Sequence, residues 1–413
     1  MGLEATTWGR RGLRLLLALL VLPGLALADD APDGGLPPSA CRQVTPIDAT
    51  FACVEVIPPG SSVWVTFDGQ PLGLSPTGIP NVEPGAHTLR LDRQGDAPAR
   101  YELTLEAGEV RRFDAPLVRV PAIVPPPLAT VYPLAVMVEN HPDARPQAGL
   151  NLADVVYEAL AEGGISRFLA LYLTQDAEAI GPVRSTRHYF VYTAAEFNAT
   201  LTFVGASPIG YAALAATGLR NVNESIGDPG IWRSARRDPP HNAFTSTVDA
   251  REAADGNAFG WPGSWGPLVF KDQMSATAGV PATNIRVRYP PIGWYDVTYE
   301  YDPSTNQYFR LMDGYRHRDQ FTGLQLSASN VIVQVVPDDV IDREGRLDLA
   351  QTGEGPAYYF VDGVEVDGMW TKADYGSQTL FWDTAGNLAR FNPSGTTWVQ
   401  LVSPQGRVNY SAP

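Results

Sequence analysis

The sequence is poor in cysteine, in lysine and, after its first 28 residues, in long apolar runs. No histidine lies near Cys41 and Cys53 to complete a zinc site, and the main body has no cysteine nucleophile. Lysine occurs only at Lys271 and Lys372, and the formal net charge is −15. A surface this acidic excludes generic nucleic-acid binding. No segment beyond residue 28 is apolar enough to cross a membrane.

The first 28 residues have the pattern of a secretory signal peptide. Three arginines precede an apolar run over residues 15–28, which ends in a small-x-small sequence closing at Ala28. The run is short for a membrane span and is broken by Pro23, so we favour a cleavable signal over a membrane anchor. We expect cleavage after Ala28 and a mature protein that is secreted or periplasmic, with no transmembrane span.

Both cysteines fall in the lead-in segment, residues 29–53, and they are twelve positions apart. In an oxidising compartment such a pair most simply forms a disulfide. Closing that loop contributes about 3 kcal/mol in the chain-entropy picture. A pair of free thiols is the alternative. We predict a Cys41–Cys53 disulfide.

Residues 54–117 are typical of short strands separated by turns. The segments SSVWVTFDG, HTLRLDRQG and RYELTLEAGEV alternate in polarity, and turn sequences such as EPGA lie between them. This stretch resembles the PEGA domain, a small β-sandwich of bacterial surface proteins. The resemblance implies an adhesive or spacing module that contacts protein or glycan, without chemistry of its own. A stiff, proline-rich linker over residues 118–133 follows it.

The main body opens with strands and helices in alternation. LAVMVEN (134–140) is an apolar strand. We predict a helix over residues 151–164, with Asn151 as its N-cap, because apolar residues recur at helical spacing and two glycines would end it. Strands over 166–174 and 199–207 follow, with a helix between them and another after the second strand.

After about residue 280 the pattern changes to many short strands with turn signals between them. We therefore predict an α+β fold. Its parts are a small all-β sandwich, a mixed α/β domain over residues 134–275 and a β-rich C-terminal domain over residues 280–405.

Several blocks of the main body together resemble one family. They are AVMVENHPDARPQAGLNLADVVYEALAEGG, IGPVRSTRHYFV, PHNAFTST and, in the second half, TTWVQLV. In this order, over about residues 132–403, they resemble the YerB-like family of bacterial envelope lipoproteins. The resemblance implies an envelope protein but no particular activity. This chain has no cysteine close behind its apolar run and adds the PEGA-like module, so a lipid anchor does not carry over.

Positive charge is concentrated in one part of this acidic chain. Between residues 184 and 241 there are six arginines and two histidines against four carboxylates. Guanidinium groups match phosphate and carboxylate oxygens in bidentate geometry, and loops at strand ends are where α/β proteins place sites. This predicts a cleft that binds an anionic cell-wall or envelope component. The predicted ligand-binding residues are Asn140, Arg145, Arg167, Arg184, Ser185, Arg187, Arg237 and Asn242.

The same arginines also have a purely structural interpretation. Arg184 and Arg187 would then pair with Asp154, Glu158 or Glu162 and hold loops against the predicted helix. In that case the chain is an envelope scaffold without a ligand.

Catalysis is left open by the sequence. The candidate proton-transfer residues are His141, Glu158, Glu162 and His241. They would serve a hydrolase or transferase acting on a phosphorylated or glycan envelope substrate, with the two glutamates four residues apart on one helix face. No nucleophile elbow, HExxH motif or P-loop is present, and we predict no metal site and no cofactor. Trp370 and Trp398 are interpreted as core residues rather than as sugar-stacking platforms.

Overall fold

The structure is a computed structural model. It describes residues 41, 50–56, 64–68, 70–74, 77–92, 99–113, 132–255, 266–272, 276–290 and 296–412. The predicted signal peptide, most of the lead-in segment and the linker up to residue 131 lie outside the described residues. The predicted disulfide is confirmed, with the Cα atoms of Cys41 and Cys53 5.8 Å apart.

The N-terminal module consists of two small sheets, in the orders β4-β1-β7 and β3-β2-β5-β6. Its strands are β1 (Ala52–Val56), β2 (Trp64–Phe67), β3 (Gln70–Leu74), β4 (Thr77–Val82), β5 (Gly85–Asp92), β6 (Ala99–Leu105) and β7 (Val110–Phe113). Val54, Val65, Leu89 and Leu103 form its core. Because side chains alternate along a strand, such residues face inward while their polar neighbours face solvent.

The first half of the main body contains the three α-helices of the described residues. They are α1 (His188–Glu196), α2 (Pro208–Thr217) and α3 (Thr247–Asp255). The strands of this half are β8 (Leu134–Glu139), β9 (Val155–Leu160), β10 (Ser166–Tyr172), β11 (Thr200–Phe203), β12 (Asn221–Asn223), β13 (Trp232–Arg233) and β14 (Ala243–Phe244). The predicted helices α1 and α2 and the predicted strands β8, β10 and β11 are confirmed.

The second half is built from strands. They are β15 (Val280–Pro281), β16 (Asn284–Arg288), β17 (Asp296–Asp302), β18 (Gln307–Met312), β19 (Tyr315–Arg316), β20 (Ser327–Ala328), β21 (Asn330–Val335), β22 (Asp338–Val340), β23 (Leu347–Leu349), β24 (Gly353–Val361), β25 (Val364–Lys372), β26 (Leu380–Asp383), β27 (Thr397–Val402) and β28 (Arg407–Ser411). The described residues are thus mostly β.

One eleven-stranded sheet runs through both halves of the main body. Its order is β12-β11-β8-β10-β9-β27-β21-β24-β25-β15, with β26 added beside β25. The sheet therefore crosses the predicted division near residues 275–280. The crossing point is the parallel pairing of β27 with β9, in which Gln400 lies opposite Glu158.

Both faces of the eleven-stranded sheet are covered. One face packs against α3 and against a six-stranded sheet, whose order is β19-β18-β17-β16-β28 with β20 beside β18. Residues of α3, of this second sheet and of the covered face form one core cluster. Residues of α1 and α2 share a second cluster with the other face. Its central strands are consequently buried along their whole length. This double cover explains why they are apolar runs rather than alternating sequences.

The predicted helix over residues 151–164 is wrong. The structure has a 3₁₀ turn at Leu150–Leu152, strand β9 and a second 3₁₀ turn at Glu162–Gly164. All six residues of β9 are buried between β10 and β27. A short apolar run buried on both faces cannot be distinguished from a helix by periodicity alone. Glu158 and Glu162 therefore do not share a helix face.

The N-terminal module contacts the second half through a buried arginine. Arg90 of β5 lies over the ring of Trp382, 4.7 Å from its centroid. Its guanidinium is also within hydrogen-bonding distance of Met369 Sδ, at 3.2 Å, and of Thr371 Oγ1, at 3.5 Å. A desolvated guanidinium over an indole contributes about 2 kcal/mol, so this contact anchors the module on β25 and β26.

Both lysines of the chain form buried ion pairs. Lys372 pairs with Glu196, at the end of α1, and Lys271 pairs with Asp362. Trp370 and Trp398 are fully buried, which confirms their interpretation as core residues. Both lysines are thus used in ion pairs inside the protein rather than on its surface.

Asp362 makes stability depend on pH on the acid side. Its carboxylate accepts hydrogen bonds from Lys271, from the backbone N–H of Thr277 and from the side-chain amides of Asn306 and Asn392. Burial acts to raise the pKa of Asp362, but these hydrogen bonds outweigh it and lower that pKa.

We expect Asp362→Asn to cost about 2 kcal/mol at pH 7, because hydrogen bonds to a charged group are lost. The folded pKa lies below the unfolded value of about 3.9, so the contribution is complete above that pH and is lost as the pH falls towards the folded pKa. Urea unfolding at pH 7 and pH 3 measures this. The gap between wild type and variant should shrink at pH 3, and a gap that does not change with pH would contradict the assignment.

Candidate functional site

The candidate site lies where β8 ends. Glu139, the last residue of β8, is paired across the sheet with Arg167 of β10. On its other side, the backbone N–H of Glu139 donates to Pro182 O at 2.9 Å, and that of Arg184 donates to Met137 O at 3.1 Å. Polar residues from three separate segments therefore meet at one edge of the sheet.

The buried carboxylate of Glu139 connects two of the predicted site residues. Its Oε1 lies 3.0 Å from Nε of Arg184, and its Oε2 lies 2.9 Å from Nδ1 of His241. His241 reaches this position because β14 follows it and the backbone N–H of Val183 donates to Ala243 O at 2.7 Å. Glu139 was not among the predicted site residues, although it immediately precedes the Asn140–His141 pair that was.

Two predicted catalytic residues form a stacked pair. The rings of His141 and His241 are 4.9 Å apart and nearly parallel. His141 also caps the 3₁₀ turn Pro142–Ala144, where its Nδ1 accepts the N–H of Asp143 at 3.2 Å. His141, Asp143 and His241 each offer one atom that could bind a metal ion, and these three atoms lie within 4.8 Å of one another. Such a group can bind a cation or transfer protons.

Arg167, Arg187 and Glu162 form a second cluster beside the first. Arg187 pairs with Glu162, which also lies 3.5 Å from Arg167. Arg167 also donates to the backbone carbonyl of Ser185 at 2.8 Å. Arg187 donates to the backbone carbonyl of Thr186 at 2.7 Å. These contacts hold the loop before α1 against the start of β10.

The charges of this second cluster affect each other. Burial lowers the pKa of Arg167 to about 10, and the positive charges of Arg187 and Arg184 add to the effect. Burial acts to raise the pKa of Glu162, but the charge of Arg167 and the hydrogen bond from Arg187 outweigh it and leave that pKa lowered. The guanidinium of Arg167 is thus close enough to those of Arg187 and Arg184 to be repelled by both.

Glu158 is placed in the core rather than at this edge. It is fully buried and pairs with the equally buried Arg310 at 2.8 Å. Its other oxygen accepts from Ser166 at 2.7 Å and lies 3.5 Å from the side-chain amide of Asn140. Glu158 and Asn140 therefore belong to a buried polar network between the sheets.

The remaining predicted arginines hold loops together. Arg145 donates to Asn140 and lies 3.4 Å from Asp313. Arg237 donates to the backbone carbonyls of Asp143 and Pro146, at 3.3 and 2.6 Å. Arg145 and Arg237 thus lie close to the histidine pair, but their guanidinium groups donate to other groups of the protein.

Two smaller predicted contributors have modest roles. Asn242 accepts a hydrogen bond from Arg233, which also binds Glu224 through two of its nitrogens. Ser185 is half-buried, and among the described residues its hydroxyl makes no hydrogen bond, while its carbonyl accepts from Arg167.

The larger of the two cavities described lies outside this edge. Its volume is about 670 Å³, and it is lined by β16, β17 and β28, including Arg286 and Asp296. It reaches the predicted site only through Asp313, the partner of Arg145. The charged groups that could act on a ligand converge where β8 ends and not in this cavity. The candidate site is therefore assigned from these groups and not from the size of a cavity.

Comparison with known proteins identifies the family. The N-terminal and C-terminal domains of a family of unknown function, DUF3048, match residues 123–260 and 285–399, and the PEGA domain matches residues 52–121. YerB of Bacillus subtilis (strain 168), which is named as a lipoprotein, is 34% identical over 275 residues. These residues cover 65% of this chain and 81% of that protein. The chain belongs to the YerB family.

A solved structure agrees with the YerB assignment. The crystal structure of YerB from Bacillus subtilis superposes with a TM-score of 0.60 at 32% identity. The match covers 68% of this chain and 94% of that one. The resemblances seen in the sequence, to YerB in the main body and to PEGA before it, are therefore confirmed. Among the described residues no helix is long and apolar enough to span a membrane.

Proposed function

We propose that this YerB-family chain is a cell-envelope protein that binds an anionic group, phosphate or carboxylate, of a wall component where β8 ends. The observation that carries the proposal is a local excess of positive charge. Arg167, Arg184 and Arg187 lie around only two carboxylates, those of Glu139 and Glu162. An anion at this edge would relieve the repulsion among the guanidinium groups and gain charge-assisted hydrogen bonds.

Arg184 is the residue best placed to contact the ligand. Its side chain is 26% exposed, and its Nε is held by Glu139. Among the described residues, neither Nη atom of Arg184 has a hydrogen-bond partner. Arg167 and Arg187 are more buried and donate inward, so they contribute charge and position rather than direct contacts.

The envelope location rests on separate observations. The relative in Bacillus subtilis is named as a lipoprotein, and the structure contains a disulfide, which is typical of exported proteins. The sequence adds a predicted signal peptide over residues 1–28. The PEGA domain would supply a second contact, to protein or glycan, and thereby place the anion site against the wall.

One observation favours a second candidate, a hydrolase or transferase acting on a phosphorylated or glycan substrate. Nδ1 of His241 donates to the buried Glu139 carboxylate, which fixes the ring and leaves Nε2 able to accept a proton. A carboxylate-oriented histidine is the usual form of a general base. No nucleophile is held beside it among the described residues, and we therefore rank binding above catalysis.

The test is thermal unfolding of residues 29–413 with phosphate, pyrophosphate and muropeptides, measured with EDTA present. A ligand at 100 times its Kd stabilises the folded state by about 2.7 kcal/mol and raises the melting temperature. Arg184→Ala should weaken binding about 10-fold or more, because hydrogen bonds to a charged group are lost. Turnover of any ligand found would favour the hydrolase or transferase.

Arg236→Ala is the matched control. Arg236 is exposed, and its side chain has no partner among the described residues. This variant should bind as the wild type does. If no anion shifts the melting temperature while Arg187→Ala lowers it sharply, the arginines hold the fold together and the scaffold interpretation replaces this proposal.

A further inference from the structure

We infer that His141, Asp143 and His241 form a binding site for one divalent transition-metal ion, with zinc as the best match. The inference goes beyond anion binding and does not depend on it. Two imidazoles and one carboxylate are a ligand set that zinc and its neighbours accept, whereas magnesium and calcium prefer oxygen ligands alone. It departs from the sequence-based expectation of no metal site.

To bind an ion, His141 must give up the hydrogen bond that its Nδ1 accepts from the N–H of Asp143, and the remaining adjustments are small. The three ligand atoms lie within 4.8 Å of one another. Atoms bound to a tetrahedral zinc ion at about 2.1 Å lie roughly 3.4 Å apart, so two ligand atoms that each move by about 0.7 Å are enough. The side chain of Asp143 is 73% exposed and can turn without disturbing the core.

A second, independent observation is the support behind His241. Its Nδ1 donates to the buried carboxylate of Glu139 at 2.9 Å, which leaves the lone pair on Nε2 for a ligand. Metal-binding histidines almost always donate their other ring nitrogen to a carboxylate or a carbonyl, and this fixes the tautomer and the ring orientation. Arg184 binds the other oxygen of Glu139 and holds that carboxylate in turn.

The backbone around the ligands is fixed by contacts that need no metal. His141 and Asp143 stand on the 3₁₀ turn that follows β8. Arg237, four residues before His241, donates to the carbonyls of Asp143 and Pro146 and so ties the two loops together. The backbone of the site is therefore in place before an ion binds, which reduces the ordering that binding requires.

The other three histidines of the chain are used differently. His317 is fully buried and bonded to Arg310 and Gln147. His188 pairs with Asp348, and His87 pairs with Asp68. Among the described residues, the group of His141, Asp143 and His241 is the one in which ligand atoms converge in this way. Three protein ligands leave at least one position of a tetrahedral ion for water or another oxygen donor.

The experiment uses untagged residues 29–413, stripped with EDTA and dialysed into metal-free buffer. Titration calorimetry with zinc chloride should show one site per chain, and cobalt chloride should give the visible absorption of a low-symmetry complex. We expect His141→Ala and His241→Ala each to weaken zinc binding at least 100-fold. Glu139→Gln should weaken it about 10- to 100-fold, as is usual for an orienting carboxylate.

Controls keep the result interpretable. His188→Gln removes a histidine outside the site and should bind zinc as the wild type does. His141 is partly exposed, so His141→Ala is expected to fold, which circular dichroism checks. Absence of zinc binding in the wild type overturns the inference, and so does equal binding by the folded His141→Ala variant. Anion binding is measured in EDTA, so either proposal can fail without the other.

Discussion

Arg310→Met is expected to lower the free energy of unfolding by about 3–5 kcal/mol. The guanidinium of Arg310 and the carboxylate of Glu158 are both fully buried, 2.8 Å apart. Methionine would fill much of the same volume but would leave the carboxylate in the core without its cation. Removing one partner costs more than the pair contributes, because the remaining charge has lost both its water and its partner.

The surroundings of Arg310 increase the expected effect. Its guanidinium donates to Tyr299 Oη at 2.7 Å and to His317 Nδ1 at 3.1 Å, and it lies 4.3 Å from the ring centroid of Trp398. Burial raises the pKa of Tyr299 well above its usual range. Glu158 belongs to β9 and Arg310 to β18, so the pair joins the six-stranded sheet to the eleven-stranded one.

Urea unfolding of Arg310→Met, Glu158→Leu and the double variant measures this. The double variant should lose less than the sum of the two single variants, because an apolar pair leaves no uncompensated charge. Arg236→Met, at an exposed position, should stay within about 0.5 kcal/mol of wild type. If Arg310→Met also stays within that range, the pair is not desolvated as described.

Gly368→Ala is expected to cost about 3 kcal/mol by overpacking. Gly368 lies in β25 between β24 and β26, opposite Ala357 and Asp383. A Cβ atom there would lie far inside van der Waals contact with the carbonyl oxygen of Trp382 and the ring of Tyr359. Neither group can move easily, because Tyr359 is itself hydrogen-bonded to the Trp382 backbone.

Gly376→Ala is the matched control for this effect. Gly376 has an ordinary backbone conformation, and an added Cβ would meet only Asp374 Oδ1, at 3.4 Å. We expect that variant to be neutral or stabilised by up to about 1 kcal/mol. The comparison is made from thermal and urea unfolding of both variants. Equal stability of the two variants would show that β25 and β26 can separate without cost.

The sequence predicts most of the elements because their signals are local. Strands β8 and β10 are apolar runs, and helix α2 begins at Pro208 after the N-cap Ser207 and ends at Gly218. The disulfide followed from there being only two cysteines, at a suitable spacing. These features depend on neighbours in the chain and are readable without knowledge of the fold.

The error over residues 151–164 has a physical cause that lies far away in the sequence. Strand β9 is apolar because both of its faces are covered, one in each of the two core clusters. It lies inside the sheet because β27, about 240 residues later, pairs beside it. A local pattern has no information about that second cover. The apolar spacing therefore favoured a helix.

The candidate site was predicted in part. His141 and His241 were proposed separately, but their stacking depends on two loops that meet only in the fold. Glu139 and Asp143 were missed, although they stand beside His141 in the sequence. The signal that could have pointed to them was a run of four charged or polar residues within five positions, 139–143, at the end of an apolar strand.

Strand β27 also has a consequence for the order of events during folding. It fills the position between β9 and β21, and its parallel partners lie at residues 155–160 and 330–335. The eleven-stranded sheet therefore cannot close until the chain is complete to about residue 402. Until then β9 has an open edge, and unpaired edges of this kind favour aggregation. We expect the first half, produced alone, to need a chaperone or to be degraded.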